Sequence, residues 1–145
     1  MALTGTYQRA LDEKQRLAIP KRLRDALGDA DLKELYVAPE VDHALALFSP
    51  LTFERRAQRL EEASSGRAEV RNYLRLYYSQ AERVELDAQG RIRLPERLVR
   101  FGKLKQDVVL LGVHDHVEIW DGGVWERFLA DHGSEFDKLA TEAFR

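Results

Sequence analysis

LDEKQRLAIPKRL (residues 11–23) and LDAQGRIRLPERL (residues 86–98) are one motif present twice. Leu11, Asp12, Arg16, Pro20, Arg22 and Leu23 recur as Leu86, Asp87, Arg91, Pro95, Arg97 and Leu98, all at a spacing of 75 residues. Leu17 and Ile19 are matched by Ile92 and Leu94. The likeness continues at slightly shorter spacing. Asp42-His43 resembles Asp115-His116, and Phe53-Glu54-Arg55 resembles Trp125-Glu126-Arg127. So many coincidences at fixed spacing indicate an internal duplication, which governs every later reading of the chain.

Each copy has a readable physical logic. Tyr7 to Leu11 and Val84 to Leu86 read as short strands that enter a tight turn at Asp-x-x-x-Arg. The Asp side chain can accept from backbone N–H groups two residues on, and it lies near the Arg four positions later. Gln89-Gly90 supplies a residue that tolerates positive φ in the second turn, so the chain can reverse into a hairpin. The first copy has Gln15 there, which implies strain or a different turn. After the turn, Leu17-Ala18-Ile19 and Ile92-Arg93-Leu94 alternate as half-buried strands. Pro20 and Pro95 suit the first position of a helix, and short amphipathic helices follow, closed by Gly28 and Gly102. Two apolar strands end each copy: Leu35–Ala38 and Ala44–Phe48, then Val108–Val113 and Val117–Trp120. Between the copies, Pro50 to Leu60 and Arg67 to Tyr78 read as helices divided at Ser64-Ser65-Gly66. Val124–Leu129 and Glu135–Ala143 read as helical. A module of roughly 45 residues buries too little apolar surface to stand alone, so the copies are expected to share one core.

Composition narrows the function. No run approaches the roughly 18 apolar residues that span a bilayer, and the N-terminus meets charge too early for a secretory signal. The chain has no cysteine, which excludes disulfides and thiolate metal sites. A cytoplasmic protein is the expectation. The net charge of −2 is not that of a typical nucleic-acid binder, but its distribution is uneven. Residues 1–28 carry six Lys/Arg against three Asp/Glu, and residues 81–105 seven against four. Residues 106–145 carry three against nine. Phosphate responds to that local potential rather than to the sum.

Strand, Asp-x-x-x-Arg turn, strand, Pro and short helix together resemble the AbrB-type swapped-hairpin DNA-binding domain. Two such units, joined by a helical segment ending Leu74-Arg75-Leu76-Tyr77-Tyr78-Ser79, resemble the MraZ family over about residues 5 to 130. Gly5-Thr6-Tyr7, Lys14, Ile19-Pro20, Glu85-Leu86-Asp87, Gly90-Arg91 and Glu118-Ile119-Trp120 carry that likeness, and Gln15 departs from the usual glycine. The resemblance implies an α+β fold of two tandem modules forming an intrachain pseudo-dimeric barrel. The first module spans 5–53, a helical linker 54–80, the second module 81–125 and a C-terminal helical segment 126–145. It further implies a transcription regulator that binds direct repeats in double-stranded promoter DNA upstream of its division and cell-wall gene cluster. Such a protein assembles as a ring and associates with the nucleoid.

The candidate DNA-binding residues are Arg9, Lys14, Arg16, Lys21, Arg22 and Arg24 in the first copy and Arg91 and Arg93 in the second. Arg9, Arg16 and Arg24 are the positions the AbrB resemblance points to. Arginine forks onto phosphate oxygens or a guanine edge, which is the chemistry such a site needs. Asp12 and Asp87 are expected to be structural, each holding its own Arg; the alternative use of those arginines is purely as turn staples. Glu96 replaces Lys21 in the second copy, and Ala88 replaces Glu13, so the first copy is expected to be the main reading surface. Weighed against this are an antitoxin, a structural ring protein and a metal enzyme at His114-Asp115-His116. That last stretch reads better as a strand-to-strand turn. No catalytic residue, metal ligand or cofactor is assigned.

Overall fold

The computed structural model describes residues 1–63 and 66–145, so Ser64 and Ser65 of the predicted Ser64-Ser65-Gly66 break lie outside the described residues. Both Asp turns form, and they are isostructural. Asp12 N–H donates to the Arg16 carbonyl at 3.2 Å and Gln15 N–H to the Asp12 carbonyl at 3.0 Å. Asp87 and Gly90 repeat the pattern at 2.9 and 3.0 Å. Gln15 takes φ 60° and Gly90 φ 75°, so the first copy adopts the left-handed turn without a glycine.

Beyond each turn the arms part and pair with the other copy. Strand β1 (Thr6–Ala10) runs antiparallel to β7 (Asp107–Val113), and β5 (Glu82–Glu85) runs antiparallel to β3 (Glu34–Pro39). Strands β2 (Arg16–Ala18) and β6 (Arg91–Arg93) pair as a separate two-stranded ribbon. With β4 (Leu45–Phe48) and β8 (His116–Asp121), the remaining strands make a six-stranded sheet in the order β1-β7-β8-β4-β3-β5. The swap leaves neither copy a complete sheet of its own.

The register locates a pseudo-two-fold axis. Leu17 faces its counterpart Ile92 in the ribbon, and Ala46 faces its counterpart Glu118 where β4 meets β8. Helices α1 (Lys21–Leu27) and α4 (Glu96–Phe101) start just after Pro20 and Pro95, which stand as N-caps rather than first helical residues. Neither Gly28 nor Gly102 is left-handed; that conformation falls instead on Lys103 (φ 52°).

The core lies between the ribbon and the sheet. Leu17, Ile19, Leu23, Ile92, Leu94 and Leu98 come from the ribbon side and meet Leu35, Leu45, Leu47, Leu110 and Ile119 from the sheet. Fully burying each such side chain stabilises by about 1.5–3 kcal/mol. Here both copies contribute to one cluster. Gly112 belongs to this architecture because the N-terminal segment crosses over it. A Cβ there would sit 2.3 Å from the Thr4 backbone nitrogen.

Helices cover the outer face of the sheet in matching halves. Ser49 Oγ accepts from Thr52 N–H at the start of α2 (Pro50–Ala63), and Asp121 accepts from Gly123 and Val124 N–H at the start of α5 (Gly122–His132). Phe53 stacks on Tyr36 with ring centres 4.4 Å apart, while Trp125 packs edge-on against Trp120 at 5.2 Å. The looser sequence match of Phe53 with Trp125 thus has a structural basis. Helix α3 (Ala68–Gln80) adds Tyr77 to the first half, and α6 (Phe136–Ala143) follows α5. Among the described residues, no helix is long and apolar enough to cross a membrane.

Candidate nucleic-acid interface

Three of the eight predicted cations, Arg16, Arg91 and Arg93, converge on the ribbon. Its three-residue strands alternate strictly: Leu17 and Ile92 are buried beneath, while Arg16, Ala18, Arg91 and Arg93 lie on the outer face. Register places Arg16 directly opposite Arg93 and Ala18 opposite Arg91. Three guanidinium groups therefore share one short platform to which each copy contributes one strand.

Two of those arginines are held. Arg16 Nε donates to Asp12 Oδ2 at 2.7 Å, while Asp12 Oδ1 accepts from Lys14 and Arg16 backbone N–H groups at 2.9 and 2.8 Å. Arg91 and Asp87 repeat the arrangement, with Nε to Oδ2 at 2.8 Å. Hydrogen bonds from the arginine backbone, chiefly, and then from its side chain keep both carboxyls below the usual value despite some desolvation. Such a clasp fixes the direction of a guanidinium through Nε and leaves its outer nitrogens for another acceptor. Staple and contact are thus compatible roles. Arg93 differs, having no ion-pair or hydrogen-bond partner among the described residues.

The remaining candidates separate into distinct places. Lys14 is exposed at the first turn. Lys21 pairs with Asp25 at 2.8 Å, and Arg22 is exposed beside it with no ion-pair partner among the described residues. Arg24 is half-buried: its Nε donates to the Ile19 carbonyl at 3.0 Å, and its guanidinium lies over Gly90. A Cβ on Gly90 would approach Arg24 Cζ to 2.8 Å, so an arginine from the first copy closes the turn of the second. The equivalent positions across the axis are Val99 and Gln15. Arg9 is exposed on β1 and lines a groove with Asp107, Trp125, Glu126 and Leu129. In the second copy the helix cations are largely matched, Arg97 by Glu82 at 3.0 Å and Arg100 by Glu96 at 3.3 Å.

The histidine-rich stretch is a strand-to-strand turn, with His114 exposed at φ 63°. His116 is buried at the start of β8, a role that the sequence did not reveal. Its Nδ1 lies 2.7 Å from Asp115 Oδ1 and its Nε2 lies 3.2 Å from Glu118 Oε2. Burial disfavours the charged ring, but hydrogen bonds to Glu118 and Asp115 outweigh it and lift His116 above the ordinary histidine value. The His116 hydrogen bond in turn is the main reason Glu118 stays below the usual carboxylate range. Glu40 completes a group of three possible metal ligands with His116 and Glu118. Both ring nitrogens already have carboxylate partners, however, and Arg56 reaches to 3.9 Å of Asp115. The cluster reads as a charged tie between the linker helix and β8. The clue was available in the alternation His116-x-Glu118-x-Trp120, set against Ala44-x-Ala46-x-Phe48 in the first copy.

Comparison with known proteins agrees with the duplicated geometry. The family described as "MraZ protein, putative antitoxin-like" matches residues 2–76 and again residues 77–145. A "Transcriptional regulator MraZ" of Mycolicibacterium smegmatis is 36% identical over 141 residues, covering 97% of this chain and 96% of the relative. One of Mycobacterium avium is 36% identical over 139 residues, covering 96% and 94%. One of Limosilactobacillus fermentum is 35% identical over 137 residues, covering 94% and 93%.

Proposed function

The chain belongs to the MraZ family, and from that premise we propose that it is a transcription regulator whose shared arginine ribbon docks in the DNA major groove. The single observation that carries this reading is the outer face of Arg16, Arg91 and Arg93 over the buried Leu17–Ile92 pair. A major groove about 12 Å wide admits a two-stranded ribbon, and arginine is the commonest partner of a guanine edge. Lys14, Arg22 and Lys21 flank the ribbon and suit phosphate. Arg24 supports the second turn from below, and Arg9, exposed on β1, adds a further phosphate contact. The relatives' names describe regulators, so the chemistry asked of this site is recognition and not catalysis.

The targets in this reading are direct repeats in the protein's own promoter region, within the nucleoid, and several chains act together as a ring. Two features support self-assembly. Helix α6 packs chiefly on the short turn before it and exposes Phe136, Leu139 and Phe144. Val41, before β4, and Tyr73 and Leu76, on α3, are likewise exposed beside Phe101 at another face. Contact between unlike faces generates rings when the rotation closes. One chain making about three to six phosphate contacts binds weakly and loses affinity steeply with salt. A ring on repeated sites raises avidity through effective concentration. In a salt-titrated shift assay on the upstream fragment, affinity is expected to climb with the number of repeats and to depend on their spacing. Equal affinity for one repeat and for three would contradict the reading.

A further inference from the structure

A platform with true two-fold symmetry presents the same face in either direction along a duplex and suits an inverted repeat. The ribbon here has the backbone of such a platform but not its side chains. Arg16 and Arg91 are symmetry counterparts and are clasped identically. Ala18 and Arg93 are also counterparts, yet one is a methyl group and the other an exposed guanidinium. Arg93 sits opposite Arg16, so two cations face each other at one end of the ribbon, whereas at the other end Arg91 faces only Ala18. The flanks differ as well. Leu94 N–H donates to the Gln15 carbonyl, which places the Arg16–Arg93 end beside the first turn with Lys14. Ile19 N–H donates to the Gly90 carbonyl, which places the Ala18–Arg91 end beside the second turn and the start of α1.

From this asymmetry we propose that each chain binds one non-palindromic DNA element in a single orientation, and that the Ala18/Arg93 difference sets its direction. The inference rests on the ribbon being the DNA-binding face. Arg93 is the specificity-determining side chain: it reaches a base edge at one end of the element, and no cation reaches the corresponding base at the other. A polar reader of this kind suits repeats that all point the same way.

The chain contains no cysteine, so a single one can be placed at either turn tip and labelled without background. Glu13→Cys and Ala88→Cys occupy equivalent exposed positions on opposite ends of the platform. Each carries an iron–EDTA cleavage reagent and is bound to an end-labelled duplex holding a single repeat from the protein's own upstream region. Strand cuts from position 13 are expected on one side of the repeat only, and cuts from position 88 on the other side only. Ala18→Arg combined with Arg93→Ala is expected to exchange the two patterns. Cuts of equal strength on both sides from each position would overturn the fixed orientation. An unexchanged pattern in the double variant would overturn the role of Arg93. A shift assay with the unlabelled wild-type chain separates these failures from a failure of DNA binding itself, because loss of all complex there would instead sink the functional reading.

Discussion

The turn at Asp12–Arg16 and the turn at Asp87–Arg91 share their hydrogen bonds, their Asp–Arg clasp and their left-handed fourth residue. They differ in what occupies that fourth position and in what lies against it. Gly90 leaves space that the Arg24 guanidinium fills, and Arg24 is thereby drawn away from the solvent. Gln15 carries a side chain at φ 60°, and its turn faces the helix that has Val99 where the other has Arg24. A residue of the first copy is thus adapted to the second. The duplication has kept the backbone symmetric while each half diverged to suit its partner. The same divergence reaches the outer face of the ribbon as Ala18 against Arg93.

The largest effect is expected where the copies are most alike. Leu17→Ala and Ile92→Ala each open the shared core at the axis and should cost about 2–5 kcal/mol in denaturant unfolding. Because the two residues face each other, the double variant should cost less than the sum. Full additivity would mean that the halves are stabilised independently.

The turns should respond oppositely to exchange. Gly90→Gln places a Cβ at 2.8 Å from Arg24 Cζ and a side chain at φ 75°, so a loss of roughly 1–3 kcal/mol is expected. Gln15→Gly relieves a left-handed glutamine and should stabilise by up to about 1 kcal/mol. Equal responses of the same sign would show that the two turns are interchangeable after all.

The smallest effects concern pH, and they differ in sign. Asp12 and Asp87 lie below their usual value, so the stability they lend is complete above about 3.8 and is lost as pH falls through the lower folded value. Asp12→Asn with Asp87→Asn should flatten the acid limb of the melting-temperature profile. His116 lies above its usual value, so its contribution is complete below about 6.5 and fades as pH rises through the higher folded value. Only the second half has this group, and His116→Ala should remove a mild loss of melting temperature on the alkaline side.

Much of this was legible in the sequence because duplication fixes spacing. The Asp–Arg clasps, the strands after them and the short helices follow from residues at a constant offset, and the turn at His114-Asp115 from its place between two apolar strands. Pairing between copies is harder to read, since a tight turn implies a hairpin locally and nothing local says that its arms separate. The resemblance to swapped hairpins supplied that. Of the candidate cations, Arg16, Arg91 and Arg93 share a face because strand alternation requires it. The resemblance names Arg9 and Arg24 with Arg16, and the fold sets Arg24 against the second turn and Arg9 beside the groove lined by Asp107 and Trp125. The His116–Glu118 alternation was legible, but nothing local shows that Arg56 pairs with Asp115, or that Glu40 approaches, from the other half.

Arginines on a ribbon built by both copies are proposed to meet DNA, and Arg16 and Arg93 face each other at one end of it. Arg16→Ala combined with Arg93→Ala removes two outer-face cations above an intact core. Equilibrium binding to the upstream repeats is expected to weaken by at least about a hundredfold, with a shallower salt dependence, while unfolding and assembly mass change little. Unchanged affinity in a folded, assembled double variant would mean that DNA meets another face of the protein.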